Sequence, residues 1–175
     1  MGKISQTDLL RVDQFLACEK TLTEQEPTWG TLQNGRWFAT WPVRDDLGAI
    51  RRALNFRVDP KYPDFPGVSL LFEGRSVSRV DLTPAHWVKR NPVWAFGCPS
   101  TVTGNHVHTW SDNRDRIAAT GKWILQARQP VPHTVKRVPH MLRWFADHIK
   151  IGLYADQYGF DFSPKRNLFG GEAGE

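Results

Sequence analysis

A chain of 175 residues is long enough for one domain with a real core and short for two. Its formal net charge of +5 gathers in the middle, where residues 48–150 carry 16 Lys/Arg against 7 Asp/Glu while both flanks are mildly acidic. That balance favours a polyanionic partner. No apolar run approaches the ~18 residues of a membrane span, and the two distant cysteines offer no disulfide framework.

The start, Met1 to Gln6, lacks the apolar stretch of a signal peptide, and the reduced cysteines Cys18 and Cys98 fit a cytoplasmic setting. Ser5 or Thr7 can cap a first helix over about 7–21, with Leu9, Val12, Phe15 and Leu16 at helical spacing. Residues 36–41 form a strand candidate with Trp37 and Trp41 on one face, closed by Pro42. The run 51–59 alternates cleanly: Leu54, Phe56 and Val58 face one way, Asn55, Arg57 and Asp59 the other. Residues 68–72, the Glu73-Gly74 turn and residues 76–82 read as a β-hairpin, with Val80 and Leu82 inward and Arg79 and Asp81 on the opposite face.

Residues 83–103 hold Pro84, His86, Trp87, Lys89-Arg90-Asn91-Pro92, Trp94 and Pro99, and read as a long folded-back loop with a role. Asn105-His106-Val107-His108-Thr109-Trp110 follows, entered through Gly104 and left through Ser111-Asp112-Asn113-Arg114 as a polar turn. As a strand it places His106, His108 and Trp110 on one face, with the imidazoles about 7 Å apart. Residues 122–125 are a further strand candidate. A closing helix begins near Val138-Pro139, with Met141, Leu142, Phe145 and Ile149 as its apolar stripe. The fold expected is therefore α+β: a mostly antiparallel sheet of four to six strands flanked by an N-terminal and a C-terminal helix. It forms a single domain over 1–162, and residues 163–175 form a flexible tail.

Several landmarks fall in a familiar order: Val80-Asp81-Leu82, His86, Asn91-Pro92, Asn105-His106-Val107-His108 with Trp110, and the helix Leu142 to Ile149. In this the chain resembles an uncharacterised family of small bacterial and phage-borne proteins with a PHxH-aromatic motif, although Asn105 stands where that motif has proline. The His-x-His strand is also similar to small toxin-like proteins of toxin–antitoxin modules. The resemblance implies an α+β domain with a nucleic-acid role in phage or plasmid conflict with a host.

Three functions fit these residues. The first is a small phage- or plasmid-type protein that grips RNA, DNA or a nucleic-acid-binding host protein through a basic face. Arg57, Arg79, Lys89 and Arg90 would then contact phosphates, and Trp87, Trp94 and Trp110 would stack on bases. The second is a metal-independent ribonuclease in which His106 and His108 serve as base and acid. Here Arg114, Arg57 or Arg79 supplies the cation and His86 joins from the loop. The third is a metal-binding protein using His106, His108 and one of His86, Asp112 or Asp81. The first two need no cofactor, none is expected to involve a membrane, and a homodimer is among the expected states. No GxGxxG, P-loop or GxSxG pattern is present.

Overall fold

The computed structural model describes residues 4–31, 35–46, 48 and 52–159, so the expected tail and the domain limit at 162 lie outside the described residues. Helix α1 (Gln6–Ala17) starts at Ser5, whose side chain accepts from the Asp8 amide while the Asp8 carboxylate accepts from the Ser5 amide. The helix stops at Cys18, earlier than its apolar spacing suggests, because Lys20–Leu22 enters the sheet as strand β1.

The chain then builds β2 (Thr28–Thr31), β3 (Trp37–Asp45), β4 (Arg52–Val58), β5 (Gly67–Phe72) and β6 (Arg75–Asp81). A two-stranded hairpin follows, β7 (Val88–Arg90) and β8 (Thr101–Thr103). Next come β9 (His106–His108), helix α2 (Trp110–Thr120), β10 (Gln129–Pro130), helix α3 (Val138–His148), β11 (Ile151–Gly152) and a 3-10 helix, Ala155–Gly159. Nine strands make one sheet in the order β10-β9-β6-β5-β4-β3-β1-β11, with β2 sharing the outer edge of β3. The β1–β11 pair is parallel, which makes the sheet mixed.

This corrects the expectation of four to six strands flanked by two terminal helices. The physical reason is size: strands of two or three residues, such as β8, β9, β10 and β11, are too short to show a period of two. The third helix is internal. Its opening Trp-Ser-Asp-Asn-Arg carries the polarity of a turn, yet Thr109 caps it by accepting from the Asp112 amide. The segment 122–125 expected as a strand has no regular structure, and the hairpin β7–β8 occupies part of the expected loop.

One face of the sheet is the core. Leu54, Phe56 and Val58 of β4 and Val68, Leu70 and Phe72 of β5 are buried there. Phe15 of α1 meets Phe72 with ring centroids 5.1 Å apart, and Met141, Leu142 and Phe145 of α3 join the same cluster. The β5–β6 hairpin turns on Glu73 and Gly74, both at positive φ, as a two-residue turn requires. Its register then slips by one: Phe72 pairs Arg75 and Leu71 pairs Ser76, but Leu70 pairs Ser78. The bulge at Val77 exchanges the faces of everything after it. Val80 therefore joins the core, while Arg79 and Asp81 point to the opposite face.

Candidate functional site

Strand β9 pairs antiparallel with β6, setting Asp81 across from His106, Val80 across from Val107 and Arg79 across from His108. The central pair, Val80 and Val107, is buried in the core. The flanking four side chains thus form a two-by-two block on the other face, held by adjacent strands rather than by loops. Asp81 fits because its neighbour across the β5–β6 ladder is Gly67, where an added Cβ would come within 2.7 Å of a carboxylate oxygen. The glycine serves here through its missing side chain.

Both imidazoles are oriented by backbone carbonyls. His106 Nδ1 donates to Gly104 at 2.9 Å and His108 Nδ1 to Ala127 at 3.0 Å. Each Nε2 is thereby left as an acceptor, and each lies 3.6 Å from Asp81 Oδ2. The rings meet edge to face at 5.2 Å. Arg79 binds the block together: Nε donates to Asp81 at 2.9 Å and Nη2 to His108 Nε2 at 2.7 Å. His108 is consequently occupied, whereas the Nε2 of His106 has only the carboxylate beside it.

Both rings are neutral. Burial pushes His108 down to about 2, with the positive charges of Arg79 and Arg128, and of His106 whenever it is protonated, acting in the same direction. Burial also lowers His106, opposed in part by its bond to Gly104 and by Asp81. An unfolded histidine takes up a proton near 6.5 and these do not, so the stability gained from their burial is complete above pH 6.5. It is lost progressively as pH falls towards the folded values. The slope reaches up to about 1.4 kcal/mol per pH unit for each histidine. Thermal melts between pH 7.5 and 5 are expected to show a steep fall in Tm, and His108→Asn, which keeps a donor for Ala127, is expected to flatten it.

The block forms the floor of an open cleft of about 550 Å³. Arg36, Lys89 and Arg128 add positive charge to its walls, against Asp59. Tyr62 and Trp87 stand at its mouth, half exposed, with their rings perpendicular at 6.1 Å and Lys89 over the Trp87 face at 5.2 Å. Arg128 Nε is buried without a hydrogen-bond partner.

The other sequence-predicted residues lie elsewhere. Arg114 forms a two-pronged ion pair with Asp13 of α1, at 2.8 and 3.0 Å. Trp110 opens α2, is buried, and donates to the same Asp13 at 2.7 Å. Neither lines the cleft over the histidine block. His86 and Arg90 are exposed and do not line the cleft, and Trp94 lies under Arg116 at 5.6 Å. Arg57 shares the sheet face, two strands away in the row of Gly67, Asp81 and His106, but is exposed outside the cleft. Asp112 accepts from Thr109 Oγ1 at the start of α2 and is not part of the block.

Three asparagines carry much of the architecture. Asn91 accepts from the Arg128 amide and donates to the carbonyls of Pro99 and Arg128. Asn105 accepts from the Thr83 amide and donates to Val135. Asn113 accepts from the amides of Gln126 and Ala127 and donates to the carbonyls of Thr109 and Ala127. Together they pin the segment 121–135, regular only at β10, beside β9, and so fix the carbonyl that orients His108. A buried polar residue with this role has no periodicity, so only the Gly-Asn, Asn-Pro and Asp-Asn dipeptides marked these places.

No protein-family model, curated protein or solved structure matches the chain. Among the described residues, no helix is long and apolar enough to cross a membrane.

Proposed function

We propose that the protein is a metal-independent ribonuclease, with His106 as the general base and Arg79 and Arg128 as the cations for the phosphate. The supporting observation is the state of His106: a neutral imidazole, oriented through Nδ1, whose Nε2 is kept an acceptor with only Asp81 beside it, in a cleft that Arg79 and Arg128 also line. The 2′-hydroxyl attacks its neighbouring phosphorus as Nε2 takes its proton. The bond to the 5′-oxygen breaks, that oxygen takes a proton from water, and His106 releases its own to solvent. The products are a 2′,3′-cyclic phosphate and a 5′-hydroxyl strand. Asp81, 3.6 Å away, stabilises the transient imidazolium. Arg79, with Nη1 left over from its bonds to Asp81 and His108, faces the charge that develops on phosphorus.

This differs from the base-and-acid pair that two histidines suggest. His108, neutral down to about pH 2 and held by Arg79, orients that guanidinium and does not donate a proton.

A second reading rests on the same block. One ligand atom each from Asp81, His106 and His108 lies within 4.8 Å of the others, and both histidines have the carbonyl-bonded Nδ1 typical of metal ligands. Here Arg79 must swing out into the cleft, since its guanidinium stands where the lone pairs converge.

The test is cleavage of end-labelled single-stranded RNA and of the same strand with 2′-deoxy nucleotides, each with and without EDTA. Cleavage of RNA alone, unaffected by EDTA and ending in cyclic phosphate, is the expected result. Cleavage lost to EDTA and restored by Zn²⁺ or Mn²⁺ supports the metal reading. Salt-sensitive binding without cleavage supports a nucleic-acid binder and overturns both.

A further inference from the structure

The cleft does not end at the histidine block. A second depression of about 530 Å³ adjoins it and shares Phe65, Leu82 and Thr83 with it. Its walls are mixed: Pro130, Val131, Pro132 and Val135 form an apolar strip, Asp64, Asn105 and His133 add polar groups, and Lys136 stands exposed at the rim. At the junction, Thr83 Oγ1 is buried with no hydrogen-bond partner. The floor is rigid, because Asn105 ties the Thr83 amide to the Val135 carbonyl across the depression.

On the reading that the first cleft holds a phosphodiester, we infer that the second depression is a nucleoside subsite, so that the minimal substrate is a dinucleotide step of unpaired RNA. The phosphate lies over Arg79 and Arg128. One nucleoside stacks at Tyr62 and Trp87, and the chain passes over Thr83 in the wall that the two depressions share. The second nucleoside enters the second depression, against Pro130, Val131, Pro132 and Val135, with Lys136 at the next phosphate. Paired strands do not fit, because each base must leave its stack to enter a pocket.

The test compares 3′-UMP with the uncleavable 2′-deoxyuridylyl-(3′,5′)-uridine 3′-phosphate, which carries the phosphate assigned to Lys136, by titration and by ¹H–¹⁵N spectra of the full chain. The mononucleotide is expected to move the Trp87 indole signal. The dinucleotide is expected to move the Thr83, Val135 and Lys136 amides as well, and to bind about tenfold more tightly, the scale of one added base contact. In Lys136→Glu, the ratio of the two affinities is expected to fall towards one. Equal affinities with silent Val135 and Lys136 amides overturn the second subsite, while a mononucleotide response at Trp87 leaves the ribonuclease reading standing. No response to either ligand overturns both.

Discussion

Replacing His106 with asparagine is expected to lower the rate of RNA cleavage by about 10²–10⁴-fold, the usual contribution of a positioned general base. Asparagine keeps a side-chain donor near the position of Nδ1, so the bond to Gly104 survives while the Nε2 acceptor disappears. Binding of the uncleavable dinucleotide should change by less than about threefold, within the span of a modest contact. The pH profile supplies a second readout. A base must be unprotonated, and burial lowers the pKa of His106, so the rate should stay flat through neutrality and decline only below the ordinary histidine range. A wild-type acidic limb centred at pH 6.5 or above, or a variant as active as wild type, removes His106 from the reaction.

Asn113→Ala is expected to be the most damaging substitution away from the cleft. The side chain is fully buried and makes four hydrogen bonds to backbone groups of Thr109, Gln126 and Ala127. Alanine leaves the Gln126 and Ala127 amides without that partner and loosens the Ala127 carbonyl. At roughly 1–3 kcal/mol for each buried group left unpaired, the cost is about 4 kcal/mol, or some 10 °C in Tm. Because Ala127 also accepts from His108, the loss should extend to the cleft. Urea unfolding reads the first effect, and the His108 imidazole resonances read the second. A destabilisation below about 1 kcal/mol would show that the segment is held by other contacts.

The long elements were legible in the sequence because burial follows period there. Leu54, Phe56 and Val58 alternate with Asn55 and Arg57, and the structure buries the first set. The Ser5 cap and the apolar stripe of α3 were readable for similar local reasons. The opposed faces of Val80 and of Arg79 with Asp81 could also be seen, as could the shared face of His106 and His108. What could not be read was everything set by partners distant in sequence. Trp110 has the spacing of a third strand residue, but the cap at Thr109 turns it into a helix and sends its indole to Asp13, 97 residues away. Arg114 has the charge to join a phosphate site, yet the same carboxylate claims it. Arg128 lies in a segment with no period, and no local feature marked its side chain as part of the cleft wall. The roles of Asn91, Asn105 and Asn113 belong to the same class, since a satisfied buried amide is defined by groups contributed from elsewhere.

The extra residue at Val77 makes the spacing between the hairpin turn and Asp81 a functional quantity in its own right. A homologue that kept Arg79, Asp81, His106 and His108 but lost one residue from that stretch would turn the guanidinium and carboxylate inward against Val68 and Leu70 and show valine to the solvent side. Aligned by identity, it would look intact; counted from the turn, it would have no chemistry left.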